Sequence, residues 1–359
     1  MDLVNECLER QIRNLLKNTA ASQRIFLSLD DCIIRFETNS SQLRKKLETY
    51  FSPFITHENQ TCHIKIKALD SPSFTIGDKL KDKKPEPGKT RVKEQFIDLD
   101  SGRLIRKKLT DMLFYFNAET NLAFGPCTEN DNQVINFINN RFIQWKLDQG
   151  CLLCHAAAVD NKGRGLILAG FSGRGKSTLA LHLMNKDMTF ISNDRLMVTK
   201  KDSGLFMYGV PKLPRVNPGT ILNNPKLFPM LSQEEKIRFK KIKPHEIWDL
   251  ECKYDVYLDK CFGPDRFKLQ GYVSGLVILN WHRTLDPTVF NRIDLSRRPD
   301  LLETIMKSPG LFYASGSETK SLVFQPGMYV DMFSDCPVYE VSGGINFAEA
   351  CNKCLQLIS

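Results

Sequence analysis

The residues best placed to do chemistry lie in "GFSGRGKS", where Gly170, Gly175, Lys176 and Ser177 satisfy the spacing G-x-x-x-x-G-K-[ST]. In this pattern the glycines let successive backbone N–H groups converge on phosphate oxygens, and the start of the following helix adds a favourable dipole. Lys176 is expected to reach the β- and γ-phosphates and the Ser177 hydroxyl to ligate Mg²⁺. The flanks suit the pattern: "RGLILAG" reads as a buried strand and "KSTLALHLMNK" as a helix. The chemistry implied is binding of a nucleoside triphosphate with its metal.

Two further residues stand close in sequence. Asp194 ends the strand-like run "MTFISND" eighteen residues after Lys176, after one helix. A carboxylate on the next strand would sit beside the phosphates. There it could bind Mg²⁺ directly or through water, accept a proton from an attacking hydroxyl, or simply cap a strand end. His155 lies among small residues on a strand-like run before the loop strand, "LLCHAAAVD". A histidine in such a run serves either as a packed core residue or as an active-site group. Arg215 and Asn217, in "PRVNPGT", are phosphate-side or substrate-side candidates, or parts of a proline-stiffened structural loop.

A histidine on a strand, a short turn, a second strand carrying G-x-S-G-x-G-K-S, a helix and a strand ending in an amide–acid pair resembles the HPr kinase/phosphorylase catalytic core. That core shares its P-loop topology with phosphoenolpyruvate carboxykinase. The fuller strings "HAAAV", "GFSGRGKSTLALHLM", "SNDRLMV", "GVPKLPRVNPGTIL" and "KYDV", with "DNQVINFINNRFIQW" upstream, look like the HPr kinase-related group called kinase B. The resemblance implies an α/β fold with a P-loop core of this type and a separate N-terminal α+β region. It assigns the phosphate loop to Gly170, Ser172, Gly173, Arg174, Gly175, Lys176, Ser177 and Thr178, with Ser177 and Asp194 as metal ligands. Asp194, His155, Lys176 and Arg215 become the catalytic candidates, with ATP and Mg²⁺ as cofactors. By the same analogy the protein is a homo-oligomer.

The implied activity is transfer of the γ-phosphoryl group to a hydroxyl, serine of a protein or a small-molecule alcohol. A switch ATPase and a non-catalytic nucleotide-binding module are the alternatives. The sequence departs from the family in two places. Asn193 stands where the family has the first of two aspartates, and no "RPGRN"-like stretch follows. Neither HPr as acceptor nor the reverse reaction is therefore implied.

The elements that must position these residues divide near residue 148. Residues 1–148 read as an α+β region and 149–359 as the P-loop domain. In the first part "MDLVNECLERQIRNLLKNTA" spaces Val4, Leu8, Ile12, Leu15 and Leu16 near one helical face. "RIFLSLDDCIIRFETN" alternates as strands do, a serine-capped helix follows in "SSQLRKKLETYF", and "THENQTCHIKIKAL" is another strand. "DKLKDKKPEPGKTRVKE" reads as a charged loop or hairpin. "QFIDLD", "RLIRKKL", "LTDMLFYFN" and "TNLAFGP" resume the strands. A long helix then places Val134, Ile138, Phe142 and Trp145 on one face and ends at Gly150.

With 42% hydrophobic and 25% charged residues, the chain has the composition of a globular protein. No apolar run approaches the ~18 residues of a membrane span, and the N-terminus lacks the pattern of a signal peptide. Eleven cysteines without such a signal point to free thiols in the cytoplasm. The CxxC pairs Cys151/Cys154 and Cys351/Cys354 lie too far apart for the usual zinc spacing, and Cys151 and Cys154 sit in an apolar segment where buried cysteine behaves as a small hydrophobe. The net charge of +9 concentrates in residues 79–108, with eleven basic against five acidic residues, and in "KIRFKKIK". Neither segment sits in a nucleic-acid module, so nucleic acid is not an expected partner.

Overall fold

The computed structural model describes residues 3–57, 61–72, 80–85, 90–243, 245–313 and 325–359. The architecture is mixed α/β. The chain forms two compact units, residues 1–145 with 309–314 and residues 146–308 with 315–359.

The first unit is built on α1 (Leu3–Asn18), β1 (Gln23–Leu29), β2 (Cys32–Thr38), α2 (Ser41–Tyr50) and β3 (Ile55–Thr56). It continues with β4 (Ile64–Asp70), β5 (Lys81–Asp82), β6 (Glu94–Leu99), β7 (Gly102–Lys107), β8 (Leu113–Phe116) and β9 (Asn121–Gly125). The helix α3 (Asp131–Asp148) ends it. Among the described residues the sheet runs β3-β1-β2-β4-β9-β8-β7-β6-β5, antiparallel except where β4 lies parallel to β2 and β9. Local signals explain the helices. Ser40 caps α2 by accepting from the Leu43 amide, which sets Leu43 and Leu47 one turn apart inside the core. Leu8 and Ile12 bury one stripe of α1; the Val4 side chain expected on it lies outside the described residues. Of the charged segment 78–94, residues 78–79 and 86–89 also lie outside the described residues, and Lys81–Asp82 form a short strand on β6.

A late segment of the chain belongs to this first unit. Phe312 inserts among Phe114, Phe116 and Phe137, with ring centroids 5.4, 6.1 and 5.9 Å away. Arg103 donates to the carbonyls of Leu311 (3.0 Å) and Tyr313 (3.2 Å), and Arg141 donates to that of Phe312.

The second unit begins with β10 (Leu152–Cys154), β11 (Ala156–Asn161), β12 (Arg164–Gly170), α4 (Lys176–Met184), β13 (Thr189–Ser192), β14 (Leu196–Lys201) and β15 (Gly204–Tyr208). It continues through β16 (Arg215–Val216), α5 (Pro218–Leu222), α6 (Gln233–Lys240), β17 (Tyr254–Asp255), α7 (Leu258–Phe262), β18 (Gln270–Leu279) and β19 (Thr288–Ile293). The last elements are α8 (Pro299–Leu302), α9 (Pro326–Met332), β20 (Val338–Gly343) and α10 (Phe347–Ile358). Among the described residues the main sheet runs β10-β14-β15-β18-β12-β11-β13, with β20 beside β18 and β19 beyond it. β12, β18 and β20 are parallel neighbours, and β11 returns antiparallel to β12 through a turn with Lys162 and Gly163 at φ +50° and +96°.

The two faces of this sheet carry separate cores. Ala157, Val159, Leu166, Leu168, Val277 and Leu279 pack with Leu179, Leu183 and Met184 of α4 and with the inner face of α10. Their strand neighbours Ala156, Ala158, Ile167, Ala169, Leu276 and Ile278 pack with Leu301, Leu302, Tyr329 and Phe333 on the opposite face. Strands buried on both sides read as continuous apolar runs, which is why β12 and β18 are among the most hydrophobic stretches of the chain. Cys351 and Cys354 lie on the buried face of α10, and Cys151 and Cys154 are buried as well. Among the described residues no helix is long and apolar enough to cross a membrane.

Candidate functional site

The site forms where β12, β13 and the chain between β10 and β11 end together. The run expected as one strand around His155 is divided in two. β10 pairs with β14 and β11 pairs with β12 and β13, so the chain changes partners at His155. His155 occupies the bend, its amide donating to the carbonyl of Ile305 at 2.6 Å. β13 likewise ends at Ser192, earlier than the sequence suggested, and Asp194 follows in a turn with φ +70°. Aspartate tolerates this left-handed conformation better than most residues.

The loop from Gly170 leads into α4, whose N-cap is Gly175 at φ +87° with no side-chain cap, so its first amides are not taken by a capping side chain. A Cβ at Gly175 would stand 2.7 Å from Cζ of Phe347. That ring is fixed by stacking on His182 and Trp248 and by an edge contact with Trp281. Both the backbone angle and the close approach therefore require glycine here. Lys176 is buried, with Nζ donating to the carbonyls of Gly170 (2.7 Å) and Phe171 (3.2 Å). Burial pushes its ammonium down to about 8; Asp194 opposes the change and Lys307 adds to it.

The other loop residues divide by role. Ser172 and Gly173 are exposed, and Gly173 has φ +80°. Arg174 is turned to Trp281: its guanidinium donates to the Trp281 carbonyl (2.9 Å) and the indole N–H donates back to the Arg174 carbonyl (2.8 Å). Thr178 is buried, its hydroxyl 2.9 Å from that of Thr220. Ser177 donates to Asn193 Oδ1 at 2.6 Å, which ties the first turn of α4 to the end of β13.

Asp194 is the electrostatic centre. Its Oδ1 lies 3.2 Å from His155 Nε2, and Lys307 Nζ donates to both carboxylate oxygens at 3.1 Å. Burial works against the charge of Asp194, but the His155 hydrogen bond and the Lys307 ammonium outweigh it and hold the carboxyl far below the usual carboxylate range. Lys307 has no sequence signature. It follows α8 in the otherwise unremarkable "TIMKSPG" and is placed by pairing of its backbone with Leu153 and of Met306 with Cys154. A second residue missed in the sequence is Lys212, half-buried in the loop after β15. Burial and the nearby Arg195 push its ammonium down to about 8, with Arg215 and Lys307 adding and Asp194 opposing.

Arg215 stands apart from this contact set: it pairs with Asp255 across β16 and β17 at 3.1 Å, and both side chains are substantially exposed. Asn217 caps α5 with its buried Oδ1 unpaired.

The donor set fits a magnesium-bound triphosphate. The Ser177 hydroxyl and Asp194 could supply two oxygen ligands, and among the described residues no cluster of three metal-binding side chains forms. Mg²⁺ is commonly held in this way, by one or two protein oxygens with phosphate oxygens and water completing the shell.

Similarity to known proteins is limited in extent. No known family model matches the chain. A 61-residue stretch is 39% identical to HPr kinase/phosphorylase of Lactobacillus acidophilus, covering 17% of this chain and 19% of that protein. A 105-residue stretch is 28% identical to HPr kinase/phosphorylase of Geobacillus sp. (strain WCH70), covering 28% of this chain and 34% of that protein. These matches span from about a fifth to a third of the relatives' length. The solved structure of the HPr(Ser) kinase/phosphatase from Coxiella burnetii aligns with 58% of this chain and 99% of its own, at 12% identity and a TM-score of 0.28. In sequence, the chain is similar to HPr kinase/phosphorylase over these limited stretches.

Proposed function

We propose that the second unit is an ATP- and Mg²⁺-dependent phosphotransferase that moves the γ-phosphoryl group to a hydroxyl, with serine of a protein as the acceptor. Its core would be of the HPr kinase and phosphoenolpyruvate carboxykinase type. The observation that carries this reading is the Asp194 carboxylate, kept ionised between His155 and Lys307, one short strand from the Lys176–Ser177 helix start.

Gly173, Gly175 and the first amides of α4 would cradle the phosphates, with Lys176 at the β/γ junction. Bound Mg²⁺, held by Ser177 and Asp194, would neutralise phosphate charge. Asp194 would accept the hydrogen bond of the acceptor hydroxyl, orient it, and take its proton as the new P–O bond forms. A carboxyl with so low a pKa is a weak base. Phosphoryl transfer asks little of the base, because the transition state is loose and positioning dominates. His155, donating from Nε2, keeps the carboxylate oriented.

Incubation with γ-labelled ATP and a lysate tests the proposal, with Lys176→Ala and Asp194→Ala as controls. Label on a protein that both variants abolish supports the protein kinase, and label on a metabolite moves the acceptor to a small alcohol. Phosphate release without any labelled acceptor would favour an ATPase. Full transfer by Asp194→Ala would remove Asp194 from the role assigned to it.

A further inference from the structure

Lys212 is the ammonium at this site that the loop, Asp194 and His155 leave unexplained. Its backbone is fixed beside the Asn193–Asp194 turn. Gly209 donates to the Leu269 carbonyl at 2.7 Å and lies so close to Ile191 that a Cβ would meet its carbonyl at 2.0 Å. Val210 donates to the Ser192 hydroxyl at 3.1 Å, and Ser192 in turn donates to the Arg195 carbonyl. Pro211 and Pro214 stiffen the loop on either side, and the Pro214 carbonyl accepts from Val256 at 2.9 Å. This fixes the backbone on either side of Lys212, which is half-buried.

Among the described residues the charges acting on it are mostly positive. The Lys212 ammonium interacts with Arg195, Arg215 and Lys307, and with Asp194 as the opposing charge. Asp194 is already bonded to His155 and Lys307, and Arg215 to Asp255. Lys176 and Lys307 both have hydrogen-bond partners, whereas the Lys212 ammonium has none among the described residues. Cations gathered at a partly buried site destabilise one another unless an anion joins them. A phosphoryl group seated between Lys176 and Asp194 would supply the missing anion.

We propose that Lys212 contacts the γ-phosphoryl group on its Asp194 side and thereby distinguishes a nucleoside triphosphate from a diphosphate, an inference that rests on the phosphotransferase reading. During transfer the bond from the γ-phosphorus to the β–γ bridging oxygen breaks and its electron pair stays with the diphosphate. The acceptor oxygen bonds to phosphorus and its proton passes to Asp194. Lys212 exchanges neither proton nor electrons; it neutralises charge on the equatorial oxygens, where much of the charge of a loose transition state resides.

Binding of fluorescent N-methylanthraniloyl ATP and ADP to the full chain with Mg²⁺ tests the assignment without knowledge of the acceptor. Lys212→Met is expected to weaken ATP binding by about tenfold or more while leaving ADP binding within about twofold, as loss of one charge-assisted hydrogen bond requires. Lys212→Arg should retain the preference for ATP, and Lys176→Met should weaken both nucleotides. Lys212→Gln, which keeps a donor but no charge, gives the same comparison should the methionine variant not fold. An unchanged ATP-to-ADP affinity ratio in the neutral variants overturns the role of Lys212 and leaves the phosphotransferase reading standing. Failure of the wild-type protein to bind either nucleotide overturns both.

Discussion

Replacing Lys307 with methionine keeps an unbranched stem and removes the charge that faces Asp194. The two contacts of 3.1 Å correspond to a Coulomb attraction of about 5 kcal/mol at an effective dielectric constant of about 20. That figure is gross. The Asp194 side chain is 44% exposed and that of Lys307 22%, so solvent screening and the cost of ordering the lysine reduce the net term to about 1 kcal/mol. A double-mutant cycle with Asp194→Asn, followed by urea unfolding at pH 7, should return a coupling of that size. Fluorescence is a suitable probe, because Trp248 and Trp281 lie in the second unit.

The pH dependence supplies the sign. The folded pKa of Asp194 lies below its unfolded value, so this stabilisation is fully present above the ordinary carboxylate range and is lost as pH falls through the folded value. The gap between wild type and Lys307→Met should therefore persist from neutral pH to about pH 4 and close below it. A coupling below about 0.3 kcal/mol, or a gap indifferent to acid, would refute the electrostatic account and leave Lys307 acting through its stem alone.

Other perturbations address neighbouring parts of the argument. Gly175→Ala combines a left-handed backbone angle with a clash against Phe347, and should cost about 2–5 kcal/mol in urea unfolding; Phe347→Leu in the same background should recover the part due to the clash. Asp194→Asn should lower phosphotransfer by roughly 10²–10⁴-fold while nucleotide titration still detects binding. Phe312→Ala should destabilise the first unit by about 3 kcal/mol, read as an earlier thermal transition, because its ring fills a cluster of three phenylalanines. Chelation by EDTA should stop transfer and Mg²⁺ restore it, with the labelled product as readout.

How much of this could be read along the chain depends on how local the cause is. The loop, its strand and its helix follow from spacing and apolar run length, and the hairpin between β11 and β12 from the "NKGR" turn. His155 and Asp194 come together because β11 pairs with β12 on one side and β13 on the other, all within about forty residues. Lys307 meets Asp194 across 113 positions, through an isolated bridge at Met306 that has no periodic signature. The division at His155 is equally non-local: nothing in "LLCHAAAVD" shows that its two halves pair with different strands. Residues 309–313 join the first unit through Phe312, although a boundary drawn along the sequence assigns them to the second.

Asn193 acquires a physical rationale from these contacts. Its Oδ1 accepts the Ser177 hydroxyl hydrogen, so the amide fixes the rotamer of a residue at the start of α4. A carboxylate could accept the same hydrogen bond, but it would add a negative charge beside Asp194. Asp194 is ionised because His155 and Lys307 serve it; a second carboxylate would compete for those cations and raise the cost of keeping both charged. With the neutral amide, Lys176 and Lys212 retain an excess of positive charge around a single ionised pair. Such a balance favours a highly charged anion such as the terminal phosphates of a nucleotide. On the proposed phosphotransferase reading, the amide at 193 would trade a second metal-binding oxyanion for a stronger phosphate-binding field.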